Sequence, residues 1–152
     1  MTNFELIGQI IYLILLLCFS FIMSRYDFKT LLIPNWPYWA GCISLIVCGI
    51  IFHRYEIYLF LLSALIFAFI YFVVRIITKK HLGMGDVYFG FFQGLCLRPH
   101  VIWICLSVET LSALIAYAII CRRYKLKKPK MAFVPFMSLG LLIAFIFDWI
   151  MI

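Results

Sequence analysis

The stretch Ile57-Tyr58-Leu59-Phe60-Leu61-Leu62-Ser63-Ala64-Leu65-Ile66-Phe67-Ala68-Phe69-Ile70-Tyr71-Phe72-Val73-Val74-Arg75-Ile76-Ile77 meets no charged side chain before Arg75. A helix rises about 1.5 Å per residue, so this run is long enough to cross a hydrocarbon core about 30 Å thick. The rest of the chain has the same character. Of its 152 residues 67% are hydrophobic and 12% charged, with a mean hydropathy of +1.14. Soluble domains sit near 45–50% apolar and roughly 25% charged. Water could not solvate so much apolar surface without aggregation, so lipid is the solvent for most of the chain.

Working outward from this run, the other spans fall into place. The first extends from about Phe4 to Ser24, followed by a polar stretch from Arg25 to Asn35. The second covers about Trp36 to Phe52, with Asn35 as its N-cap and Pro37 in its first turn. A short turn from His53 to Glu56 leads into Ile57–Ile77, and a loop from Thr78 to Gly85 follows. The long apolar stretch from Val87 to Ile120 is broken at Arg98-Pro99-His100. Proline stops one helix and suits the start of the next, giving a short fourth span to Leu97 and a fifth from about Val101. After the basic loop from Cys121 to Lys130, a sixth span runs from about Ala132 to Ile150. The expected fold is an all-α membrane bundle of about six helices, residues 1–152 forming a single domain.

The fourth span is about half the hydrocarbon thickness, and a re-entrant segment is the other way to read it. Charge parity favours six crossings. The loops after spans one, three and five then share one side and hold eleven of the thirteen basic residues: Arg25, Lys29, Arg75, Lys79, Lys80, Arg122, Arg123, Lys125, Lys127, Lys128 and Lys130. Arg54 and Arg98 remain on the other. The positive-inside rule puts the three basic loops in the cytoplasm and both termini outside. No Lys or Arg precedes the first apolar run and no small-x-small site follows it, so it reads as a retained span rather than a signal peptide.

The net charge of +7 sits in short loops between spans. Anionic lipid, not nucleic acid, is the partner this pattern implies. The cysteines Cys18, Cys42, Cys48, Cys96, Cys105 and Cys121 lie in or at the end of apolar runs without a Cys-x-x-Cys pair, and read as small hydrophobes rather than metal ligands. Trp36, Tyr38, Trp39 and Trp149 fall near span ends, where amphipathic rings favour the interface.

Carboxylates in or beside a bilayer are costly, so each of the six needs an account. Glu5, Glu56 and Asp148 lie at outer span ends, where water solvates them. Glu109 falls near the middle of the fifth span and is expected to face the interior, neutral or hydrogen-bonded, as a structural contact or a proton relay. Asp27 and Asp86 both fall at cytoplasmic ends. Taken alone, Asp86 reads as a helix N-cap and Asp27 as a solvated loop charge beside Arg25 and Lys29. Together they can form an acid/base dyad. Like charges a few ångströms apart share one proton; the ionised partner deprotonates water and the protonated one polarises a peptide carbonyl. Gly83 and Gly85 permit positive φ and close approach of a substrate backbone.

These residues also resemble a known family. Asp27-Phe28-Lys29-Thr30-Leu31-Leu32-Ile33-Pro34-Asn35 is similar to the first aspartate motif of the type IV prepilin peptidases. Gly83-Met84-Gly85-Asp86-Val87 resembles their Gly-x-Gly-Asp motif, and Phe133-Val134-Pro135-Phe136-Met137-Ser138-Leu139-Gly140 the Pro-Phe-containing start of their last helix. The resemblance implies an intramembrane aspartic endopeptidase. It would remove basic leader peptides from prepilin or pseudopilin precursors at the cytoplasmic membrane face. Asp27 and Asp86 would be catalytic, and Gly83, Gly85, Pro34, Asn35, Pro135 and Phe136 would shape the site. No metal or cofactor would serve the proteolytic step. Two departures stand out. Without the larger cytoplasmic region and its paired cysteines, the short form implies no N-methyltransferase module. Tyr88 stands where the family often has Lys.

Two other classes fit a small polytopic chain. A proton-coupled transporter would line a path with carboxylates at several depths, of which only Glu109 is deep. A non-catalytic membrane subunit would tolerate substitution of both aspartates.

Overall fold

The computed structural model describes residues 3–31, 34–52, 56–79, 82–124 and 131–151. The sequence features at Ile33, Arg54, Lys80, Lys125, Lys127, Lys128 and Lys130, and the side chain of Glu5, lie outside the described residues. Among the described residues, six α-helices run α1 (Asn3–Thr30), α2 (Asn35–Phe52), α3 (Ile57–Ile77), α4 (Met84–Cys96), α5 (Ile102–Tyr124) and α6 (Val134–Met151), with a 3₁₀ turn over Pro99–Val101 before α5. Five are long and apolar enough to cross a membrane. The protein is thus a multi-pass membrane protein. The exception is α4, whose 13 residues reach only about 20 Å.

Two of the boundary differences from expectation move an aspartate. The polar stretch after Ser24 is not a loop: α1 continues through Arg25, Asp27 and Lys29 to Thr30. No proline interrupts it and no glycine follows Gly8, and its 28 residues reach about 42 Å, the thickness of core plus headgroups. It ends where Leu31 turns left-handed at φ 55°, its N–H donating to the Asp27 carbonyl at 2.8 Å. Similarly, α4 starts at Met84, so Gly83 is its N-cap and Asp86 lies in the first turn. Asn35 is likewise the first residue of α2 rather than its cap.

Helix α4 occupies the centre. Val87, Phe89, Phe92, Leu95 and Cys96 are all buried, against α2, α3 and α6. Gly90 and Gly94, one turn apart, seat it on α3. A Cβ at Gly94 would lie 2.2 Å from Ala64 Cα, and one at Gly90 2.3 Å from the Tyr71 ring. Lipid is as apolar as leucine, so helices in a membrane associate through this kind of close backbone approach. On the other side of the bundle α1 pairs with α2 and α6. Tyr12 donates to the Leu45 carbonyl at 2.8 Å, and the Ser24 and Ser138 hydroxyls meet at 2.7 Å. Trp36 and Trp39 stay exposed at the start of α2.

The far end of the bundle corrects another expectation. Asp148 is buried at 7% exposure rather than solvated. The segment between α4 and α5 supplies its partners, with Arg98 Nη1 at 3.8 Å and His100 Nε2 at 3.0 Å. Arg98 also binds Glu56 at 2.6 Å. An unpartnered carboxylate is costly when buried, and this cluster supplies its partners where the short α4 stops.

Candidate active site

Asp27 of α1 and Asp86 of α4 come to the same end of the bundle, near enough for the charge of Asp27 to act on Asp86. Asp27 is 6% exposed, whereas Asp86 is half-buried. Each carboxyl is anchored by backbone N–H at a helix start. The first N–H groups of a helix have no partner within it, and they carry the positive end of its dipole. Val134, the first residue of α6, donates its N–H to Asp27 Oδ2 at 3.0 Å. The next residue, Pro135, has no N–H, and the amides of Phe136 and Met137 turn back to the Phe133 carbonyl at 3.0 and 3.2 Å. Asp27 therefore caps α6 from another helix. For Asp86 the donor is local: Gly83 N–H reaches its Oδ2 at 2.9 Å. In each case one oxygen is oriented by the protein.

The two carboxyls sense one another. Asp86 lies outside the five long spans, and its pKa is pushed up to about 6, first by burial and then by the charge of Asp27. The Gly83 N–H and the positive charge of Arg75 pull it partly back. Arg75, in the last turn of α3, also donates to the Leu82 carbonyl and so fastens the segment leading into α4. Tyr88 contributes no charge; its ring packs on Tyr38 of α2 at 5.3 Å.

Of the site-shaping residues expected from sequence, Gly83 and Pro135 have definite places, at the Asp86 anchor and beside the Val134 amide. Their roles differ from expectation in one respect. Among the described residues no glycine has positive φ, and Gly83 is extended at φ −65°, ψ 154°. What glycine offers there is space, because a Cβ would stand 3.1 Å from Asp86 Oδ2. Gly85 lies between them in the first turn of α4. Pro34 and Asn35 form the entry to α2, with Asn35 exposed, and Phe136 is half-buried on α6. Glu109 is fully buried and hydrogen-bonded to Tyr71 and Gln93.

The Val134 amide was inside a quoted motif, but its partner lies 107 residues away. Arg75 entered the sequence reading only as a topology charge. Gln93 was missed; an amide two turns after Asp86 in an apolar run was the signal available.

A model of the type IV leader peptidase family matches residues 14–122. The matched segment holds both aspartates and ends before the Val134 amide that anchors one of them. No curated protein and no solved structure matches the chain.

Proposed function

Because this chain belongs to the type IV leader peptidase family, whose aspartic peptidases cleave prepilin leader peptides, we propose that Asp27 and Asp86 are its catalytic pair. The observation that carries this reading is the convergence of the two carboxyls, each held by a helix-terminal N–H and each within electrostatic reach of the other. The pair shares a proton. The ionised member takes a proton from water, which attacks the scissile carbonyl. The other member hydrogen-bonds the carbonyl oxygen and then protonates the leaving amine, so the dyad returns to its starting charge. A desolvated pair titrates as a unit, and the two roles belong to the pair.

Helices α1 to α6 act as one peptidase domain in the cytoplasmic membrane. The basic loops and the aspartates face the cytoplasm, as the distribution of Lys and Arg supports. There the enzyme meets a basic leader followed by a hydrophobic helix. Gly83 supports the fit of an extended backbone beside Asp86, since a side chain would crowd its carboxyl. The test is leader removal from a co-expressed prepilin. Asp27→Asn and Asp86→Asn are each expected to leave the precursor uncut while the protein stays in the membrane. Normal processing by both single variants would overturn the assignment.

A further inference from the structure

Deeper in the bundle than the aspartates, three polar side chains meet in otherwise apolar surroundings. Glu109 of α5 and Gln93 of α4 are fully buried, and Tyr71 of α3 is nearly so. The Tyr71 hydroxyl donates to Glu109 Oε1. The Gln93 amide has two N–H groups; one reaches Glu109 Oε2 at 3.0 Å and the other the Met137 carbonyl of α6 at 2.9 Å. Four helices are thereby joined by one run of hydrogen bonds. Without water to substitute for a lost partner, such a network permits one relative placement of its helices and penalises others.

Its attachment points explain what is being placed. Gln93 lies seven residues after Asp86, two turns along the same side of α4 and about 10 Å away. Met137 lies one turn after Val134 on α6. The Val134 amide holds Asp27, and the Met137 carbonyl holds Gln93. Both attachments therefore sit on the first turn of α6: one sets Asp27 directly, the other sets Asp86 through two rigid turns of helix. One turn further, Gly140 lets α5 close in, since a Cβ there would stand 2.7 Å from the Cys105 carbonyl and 3.0 Å from Glu109 Cβ.

We propose that Gln93, Glu109 and Tyr71 are positioning residues for proteolysis, fixing the depth of α4 against α6 and with it the separation of the Asp27 and Asp86 carboxyls. This rests on those two being the catalytic pair. The network is buried behind the aspartates and acts through them. A misplacement of about 1 Å at a reacting centre costs on the order of 100-fold in rate, so its loss falls on turnover rather than on substrate binding.

The test uses the full chain, purified and reconstituted in lipid with a prepilin, reading kcat and KM per folded enzyme. Glu109→Leu and Gln93→Leu are expected to lower kcat by about 30-fold or more, with KM within about twofold. Glu109→Gln keeps an acceptor for Gln93 and a polar group for Tyr71, and should return kcat to within about threefold of wild type. Tyr71→Phe keeps the ring against Gly90 and should lower kcat about fivefold. Wild-type kcat in the folded Leu variants, a loss confined to KM, or a Gln variant as impaired as Leu would each overturn the proposal. Should the Leu variants not fold, Tyr71→Phe decides, and an unchanged kcat overturns it. Asp27→Asn and Asp86→Asn run alongside. Activity in those two sinks the catalytic assignment, whereas their inactivity beside fully active network variants sinks the positioning role alone.

Discussion

Gly94→Ala adds one methyl group where α4 crosses α3. The new Cβ would stand 2.2 Å from Ala64 Cα, 2.3 Å from Ala64 N and 2.5 Å from the Ser63 carbonyl carbon. All three are backbone atoms, so no rotamer change relieves the overlap. Carbon atoms settle about 3.5–4.0 Å apart, and the helices must separate locally by roughly 1.5 Å. Overpacking of this kind costs about 1–3 kcal/mol. Replacing a mid-helix glycine by alanine returns up to about 1 kcal/mol. The net loss of stability is therefore modest, about 0–2 kcal/mol. Catalysis responds differently. Asp86 rides on the same rigid helix, eight residues from Gly94, and a shift above 1 Å at the dyad costs on the order of 100-fold in kcat. Thermal unfolding in detergent and leader cleavage on the same preparation measure the two effects separately. A small drop in Tm with near-complete loss of turnover is expected. A folded Gly94→Ala protein cleaving within about twofold of wild type would refute the argument that the α3–α4 seat sets the position of Asp86.

Three further outcomes follow from the site. Asn at position 27 still offers an oxygen to the Val134 amide and Ala does not, so Asp27→Ala should be less stable than the equally inactive Asp27→Asn by about 1 kcal/mol, the worth of a helix cap; equal Tm values would contradict this. The charge of Arg75 favours the ionised form of Asp86, whose pKa lies at about 6. Arg75→Gln should let Asp86 keep its proton to higher pH and move the alkaline limb of kcat/KM upward, with Arg75→Lys leaving it in place; a downward shift would reverse the assigned sign. A topology reporter fused after the last residue should read as external, and a cytoplasmic signal would invert the proposed orientation.

The long helices were legible because a membrane imposes length and apolarity on each span separately. Ile57–Ile77 was bounded to the residue for that reason. Ends were harder to read. Arg25 to Thr30 looked like a loop because charge was taken as the end of the span, whereas a helix may continue into the headgroup region until its backbone is turned, here at Leu31. Asp86 was legible as a helix-start residue, though three positions into the cap rather than at it. The pair itself was chosen from sequence, but nothing local marked what holds it. The Val134 amide and the Met137 carbonyl lie 107 and 44 residues from their partners. Asp148 was misread for the same cause, because its partners Arg98 and His100 come from a break between other helices.

The shortness of α4 has a consequence for what keeps it in the membrane. Membrane helices commonly enter the bilayer one by one on their own hydrophobicity and assemble afterwards. A helix of about 20 Å that carries Gln93 and two packing glycines is poorly retained by lipid alone. Its place in the membrane depends on the seat that Ala64, Tyr71 and Met137 provide. The depth of Asp86 in the bilayer is therefore set by what its helix packs against and not by the apolarity of that helix itself.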